Sequence, residues 1–254
     1  IGKGFSIGVN SSFLFGNLTD ASLVSSEESS FFLANQQRNV AARGFLLDFG
    51  VQYKKQFSEQ REIVVGAVYA TETAINAKET IMQRIYLPGY TVPDTVQYYV
   101  NEEGKVVLPA NYGLGFNMKI NSNWSAGAVF YYQNWKNFNI FDQEDSFNDV
   151  YQLAIGSQYL PSQTTYSNVF TRMRYSAGLR YKQSFIIHND YPVDEIGISF
   201  GLGFKLRRSL SGLHISFEWA NRGDLENNKL REDIFRFNLG VNIHERWFTK
   251  RKFY

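Results

Sequence analysis

Single alternation of apolar and polar residues, sustained over stretches longer than ten residues, recurs down almost the whole chain. In the last such stretch Phe235, Phe237, Leu239, Val241 and Ile243 share one face, while Arg236, Asn238, Gly240, Asn242 and His244 share the other. A helix cannot hold a period of two, so the chain is committed to strands. The pattern returns with Ile196, Ile198, Phe200, Leu202, Phe204 and Leu206, and with Leu213, Ile215, Phe217 and Trp219. Earlier it appears in Phe5 to Phe15, Phe45 to Tyr53 and Tyr112 to Ile120. The alternation predicts about ten strands, over 2–17, 38–57, 60–77, 109–121, 123–137, 150–160, 169–186, 194–207, 211–222 and 232–248.

A soluble antiparallel sandwich would alternate in the same way. Its strands average five or six residues, however, and several here are twice that. The polar faces mix Arg, Lys, Glu and Asn with Gly, which suits a wet lumen. Aromatic residues gather at strand ends, with Trp124, Tyr132 and Trp135, Tyr151 and Tyr159, Trp219, and Trp247 with Phe248. Such belts mark the two membrane interfaces. The connections alternate in length. Tight turns are expected near Ser58-Glu59, Asn121 to Asn123, Pro161 to Ser167 and Arg208-Ser209, and long polar connections over 18–37, 78–108, 138–149, 187–193 and 223–231. Short turns on one side and long loops on the other are the mark of a transmembrane antiparallel β-barrel of the bacterial outer membrane, with the C-terminus periplasmic. Outer-membrane lipid and lipopolysaccharide are then its surroundings.

Composition narrows the function classes. With 26 Lys and Arg against 24 Asp and Glu, the charge makes no electrostatic case for nucleic acid. Cysteine is absent, which removes thiol chemistry and thiolate metal sites. No apolar run approaches the length of about 18 residues that a membrane helix needs. The first strand begins almost at Ile1, and the chain is expected to continue upstream.

The C-terminal third, from "GISFGLGFKLRRSLSGLHISFEWANRG" through "FRFNLGV" to "RWFTKRK", resembles the FadL/TodX-type outer-membrane transport barrels, in particular their Bacteroidota branch. The pieces "GVNSSFLFGN", "LPANYGLGF" and "AVFYYQNW" fit the same layout. The resemblance covers essentially the whole chain and carries no catalytic motif. It implies a fourteen-stranded barrel with an N-terminal hatch, the hatch and about four strands preceding Ile1. It implies passive uptake of small hydrophobic molecules such as long-chain fatty acids. Relatives such as the PorV-type subunits of type IX secretion imply the alternative, a barrel subunit of a multi-protein outer-membrane assembly.

By parity, the lumen-facing candidates are Asp48, Lys119, Arg172, Arg174, Arg180, Lys182, Glu195, Glu218 and Arg236. The strand over 169–186 would place four of these cations on one face. They could attract an anion, but ion pairing with Glu195, Glu218 and Asp48 is the stronger reading. His188 with Asp190 and Asp194 reads as a polar loop, and His214 with Ser216 shows no third orienting group for catalysis. The acidic stretch Asp142, Glu144, Asp145 and Asp149 lacks calcium-loop spacing. No enzyme activity, cofactor or metal is therefore expected.

Segment 78–108 is too rich in aromatics for a solvated loop. Tyr86, Tyr90, Tyr98 and Tyr99 are candidate anchors for a protein partner. Segments 80–87 and 95–100 are expected to pair, and Glu102 to Lys105 to turn the chain back into the wall, giving an ordered cap. Phe235, Phe237, Trp247 and Phe248 form a candidate insertion signal in the aromatic final strand.

Overall fold

A computed structural model describes residues 4–24, 33–86, 94–141, 143–144, 147–161, 168–205, 211–227 and 229–243. Its strands are β1 (Phe5–Val24), β2 (Leu33–Ser58), β3 (Arg61–Ala70), β4 (Thr73–Tyr86), β5 (Asp94–Leu108), β6 (Asn111–Lys119), β7 (Trp124–Gln133), β8 (Asn139–Ile140), β9 (Gln143–Glu144), β10 (Val150–Tyr159), β11 (Arg174–His188), β12 (Tyr191–Lys205), β13 (Gly212–Arg222) and β14 (Glu232–Asn242). All join one antiparallel sheet. Its spanning part runs in the order β1, β2, β3, β6, β7, β10, β11, β12, β13, β14, ten strands as the alternation predicts. Among the described residues β1 and β14 are each paired along one edge only.

β4 continues β3 along the same edge of β2, and β5 leads into β6 in the same way. Ala70 lies opposite Asp48, but Asn76 lies opposite Arg43, so β3–β4 holds one residue more than β2 between these pairs. That extra residue is a bulge at Thr71-Glu72, where Thr71 N donates to Leu47 O at 3.5 Å. A bulge reverses the facing of everything beyond it. This is why Ile75 and Ala77 lie on the same face as Gly66 and Val68.

Pairing in register puts all the apolar rows on one face. Leu153, for instance, stands between Phe130 and Tyr181, and Phe200 between Ala177 and Phe217. These side chains are not packed against other protein: Ile155 is 53% exposed, Leu179 57% and Phe200 60%. Large apolar groups in that number would be intolerable in water, at about 25 cal/mol per Å² of exposed surface. They face lipid.

Two aromatic rows bound the apolar band. Tyr69, Tyr112, Tyr132 and Tyr151 stand directly opposite one another on four neighbouring strands, with ring centroids 5.0, 5.9 and 5.1 Å apart. Toward the other end Trp124 and Tyr159 are paired at 4.6 Å, with Tyr175 next in register. The rows are eight residues apart on β7 and on β10. That is ~27 Å along a strand, or about 20 Å of height at the usual tilt, close to the apolar band of an outer-membrane barrel.

Past the tyrosine row the strands do not give way to loops. β1 and β2 run on through much of 18–37, and β4 and β5 occupy most of 78–108. The connection expected over 187–193 shrinks to Asn189-Asp190, whose φ angles of 51° and 66° make a tight turn between β11 and β12. At the opposite end, the strand expected from 169 begins only at Arg174. Val169–Arg172 is a single helical turn, α1. Trp135–Asn137 is a 3₁₀ turn rather than the end of a strand.

Candidate functional site

The polar face of β11 to β14 holds a dense ion-pair network. Arg180 donates to Glu195 at 2.6 Å and to Glu218 at 2.5 Å. Arg236 reaches the same two carboxylates at 3.0 and 3.2 Å, and Arg222 bonds Glu195 at 2.7 Å and Glu232 at 3.5 Å. The register causes this. Glu218 lies directly opposite Arg236, and Glu195 directly opposite both Lys182 and Arg222. The Glu195 side chain is only 5% exposed and accepts from three guanidinium groups, the arrangement that makes a buried carboxylate tolerable. Three Arg meet three Glu, so this part of the wall is neutral apart from Lys182.

The other lumen candidates fall elsewhere. Asp48 is on the polar face but outside the network, contrary to the expected pairing, and accepts a hydrogen bond from Asn10 at 3.1 Å. It stands on β2, many strands away from the Arg residues it was expected to meet. Lys119 ends β6 opposite Glu62, whose carboxylate is bonded to Lys54 at 2.8 Å. Arg174 keeps its lumen-side parity. Arg172 lies in α1, before the strand begins, and lines a pocket together with Arg174 and His214. Its Nε is buried with no hydrogen-bond partner, a state that costs about 1–3 kcal/mol in an isolated chain.

The sheet beyond the tyrosine row has a core of its own. Val40, Ile75, Ala77 and Val106 are buried together, with Phe138, Ile140 and Phe141 packed over them. Each larger side chain so buried contributes about 1.5–3 kcal/mol. Phe141 reaches this core because Gly104 leaves room: a Cβ there would lie 2.1 Å from the Phe141 ring. Glu102 to Lys105, expected as a turn, are therefore plain strand, with Gly104 opposite Ala77. Trp135, expected in the interfacial belt, instead stacks on Phe185 at 4.6 Å. Phe138 and Phe147 complete that cluster. Phe138 thus links the core of the β2–β4–β5 sheet to the ring cluster at Phe185 of β11. Arg38 bonds Glu79 on the same sheet; this pair was not foreseen, since Glu79 falls in an expected loop.

The hairpin expected in 78–108 forms, with Ile81 opposite Tyr99 and Met82 opposite Tyr98. Tyr98 and Tyr99 are 56% and 45% exposed, whereas Tyr86 is half-buried opposite Leu33. Tyr90, Trp247 and Phe248 lie outside the described residues, and Phe235 and Phe237 line the lipid face of β14 at 67% and 68% exposure. The remaining polar candidates make structural contacts. His214 faces Asn242 at 3.2 Å, and Ser216 faces Asn238 at 3.4 Å. Asp194 accepts from the Tyr181 hydroxyl at 2.8 Å. Asp149 pairs with Lys136 at 3.5 Å, while Asp142 and Asp145 lie outside the described residues. Among the described residues no cluster of His, Asp and Glu could hold a metal.

This barrel wall with an extended upper sheet matches a defined family along its full length, residues 1–254. The chain belongs to the BamG family. A comparison with curated proteins finds no match. Among solved structures, this BamG-family chain is similar to the P. putida toluene transporter TodX, with a TM-score of 0.52 and 14% identity over 96% of this chain and 67% of that one. At that identity the likeness is one of fold, and it places the chain among outer-membrane β-barrels. A groove of about 610 Å³ runs along the polar face of β1, β2, β3, β6 and β7, over Gly8, Gly50, Gly66, Gly115 and Tyr131.

Proposed function

We propose that this chain is a non-enzymatic barrel subunit of a multi-protein outer-membrane assembly, and that the sheet beyond the tyrosine row is its docking element. The observation that carries this is the height of that sheet. From Tyr69 the β3–β4 edge continues for 17 residues to Tyr86, ~55 Å along the strand and well clear of any bilayer. A transport loop has no need of a four-stranded platform with an independent core. On that platform Val96, Tyr98, Tyr99 and Val100 stand exposed in one short stretch. Exposed aromatics on a rigid support are what partner-binding surfaces offer. In this reading the platform is extracellular, the short-turn end and C-terminus are periplasmic, and lipid and lipopolysaccharide surround the wall.

A second reading is passive uptake of small hydrophobic molecules. It is favoured by the groove on the polar face and by a fold shared with a toluene transporter. One experiment separates the two. The full-length protein is extracted from its native membrane in mild detergent, beside a Tyr98→Asp/Tyr99→Asp variant. The docking reading expects the wild type to migrate in a large complex and the variant to migrate alone, still folded. Wild-type protein that migrates alone, with uptake of a labelled fatty acid lost on its deletion, would establish the second reading instead.

A further inference from the structure

We infer that the short-turn end of the wall carries a binding site for a single phosphate group, set on the polar face of β11 to β14. A pocket of about 190 Å³ opens there, lined by Arg172, Arg174, His214 and Asn242 together with Gly203 and Gly212.

Charge is the first argument. The network of Arg180, Arg222 and Arg236 is matched by Glu195, Glu218 and Glu232. No such match exists around Arg172 and Arg174, neither of which has an ion pair among the described residues. Residues 174–178, 199–203, 212–216 and 238–242, the ends of the four strands that meet here, contain no Asp or Glu. On β13 the nearest acid of the polar face is Glu218, four residues from His214 or ~13 Å along the strand, and it is already held by Arg180 and Arg236. Two guanidinium charges with no counter-charge among the described residues attract a dianion. A phosphate matches them in charge, whereas a single carboxylate leaves one charge over.

Donor geometry is the second argument. Arg172 Nε is buried and has no acceptor. The Asn242 amide nitrogen stands 3.2 Å from His214 Nε2. With Nε2 engaged by Asn242, Nδ1 is the ring atom left for a ligand. Nδ1 lies over Gly203, where an added Cβ would be 3.1 Å from it and 3.3 Å from Arg174 Cβ. Glycine at 203 thus keeps the space between the imidazole Nδ1 and the Arg174 side chain clear. The pocket is on the polar face, turned away from lipid, which points to a soluble phosphate or phosphate ester rather than a headgroup as the source.

The test uses the purified full-length protein in uncharged detergent, titrated with inorganic phosphate and followed by calorimetry and by the imidazole resonances, assigned with His214→Gln. Saturable binding that shifts the His214 signal is expected. Arg174→Gln and Gly203→Val should each weaken it at least about tenfold, Arg174→Lys should restore it in part, and Lys119→Gln, a cation at the same end of the wall, should leave it within about twofold. Heat-dependent electrophoretic mobility reports whether each variant is folded, and Arg174→Lys is conservative enough to keep the test open if Gly203→Val fails to fold. Competition by phosphatidate in otherwise uncharged bilayers would support the site and assign the phosphate to a headgroup. The proposal is overturned if phosphate binding does not saturate, or if Lys119→Gln weakens it as much as Arg174→Gln does.

Discussion

Ile155 lies midway between two aromatic residues of its own strand, Tyr151 and Tyr159, four residues from each. It is 53% exposed and stands on the face that the register assigns to lipid. Ile155→Arg therefore places a charge at the bilayer midplane and should destabilise the barrel by about 2–4 kcal/mol. Leu153→Arg, closer to the tyrosine row, should cost less, and the cost should approach ~1 kcal/mol at the interfaces. Gln158 is on the same strand with the opposite parity, beside Ser125 and Ser176 on the polar face. Gln158→Arg should change stability by no more than about 0.5 kcal/mol. Reversible urea unfolding of each variant in phospholipid bilayers, followed by Trp fluorescence, gives the three values. Equal losses for Ile155→Arg and Gln158→Arg would show that the two faces see the same solvent, and the membrane assignment would fall with them.

Three further outcomes are expected. Glu195→Ala leaves Arg180, Arg222 and Arg236 facing one another and should cost ~3 kcal/mol, the low end for a broken buried pair because the Arg side chains are 24–40% exposed; the same unfolding assay measures it. Gly104→Val drives a side chain into the Phe141 ring and should loosen segment 138–141 at a cost of about 1–3 kcal/mol, read as faster amide exchange there with the wall unaffected. Replacing Phe235 and Phe237 with Ala should lower the amount of protein that reaches the outer membrane, measured by fractionation, more than the same change at Phe217 does.

Inside the bilayer the sequence is a direct transcript of the fold, because only there do the two faces of each strand meet different solvents. The spanning strands could be placed from the alternation, and so could the pairing of Arg180 with Glu195 and Glu218. Above the tyrosine row water reaches both faces and the code lapses. Residues 34–37, Ala-Asn-Gln-Gln, read as loop, yet they are strand because β1 and β4 pair with them on either side. Glu103-Gly104 carried a turn signal that tertiary structure overrode: the glycine makes room for Phe141. Asn189-Asp190 is the converse, a two-residue turn whose residue types were legible but were absorbed into a longer expected loop. Arg172 reaches the polar side from a helical turn, where parity carries no information. The surplus of cations at Arg172 and Arg174 shows only in three dimensions, once the register has shown which charges the acids reach.

The upper sheet is not a separate module set on top of the barrel. β2 runs unbroken from Leu33 to Ser58, and the β3–β4 and β5–β6 edges pass the tyrosine row with a single bulged step each. A load applied by anything gripping the top is carried along the strands into the membrane wall. Its hydrogen bonds are then stressed in shear, many at once, rather than peeled apart in turn. A bound neighbour can therefore tilt or strain the wall from a distance, as a lever does, without any hinge between the grip and the bilayer.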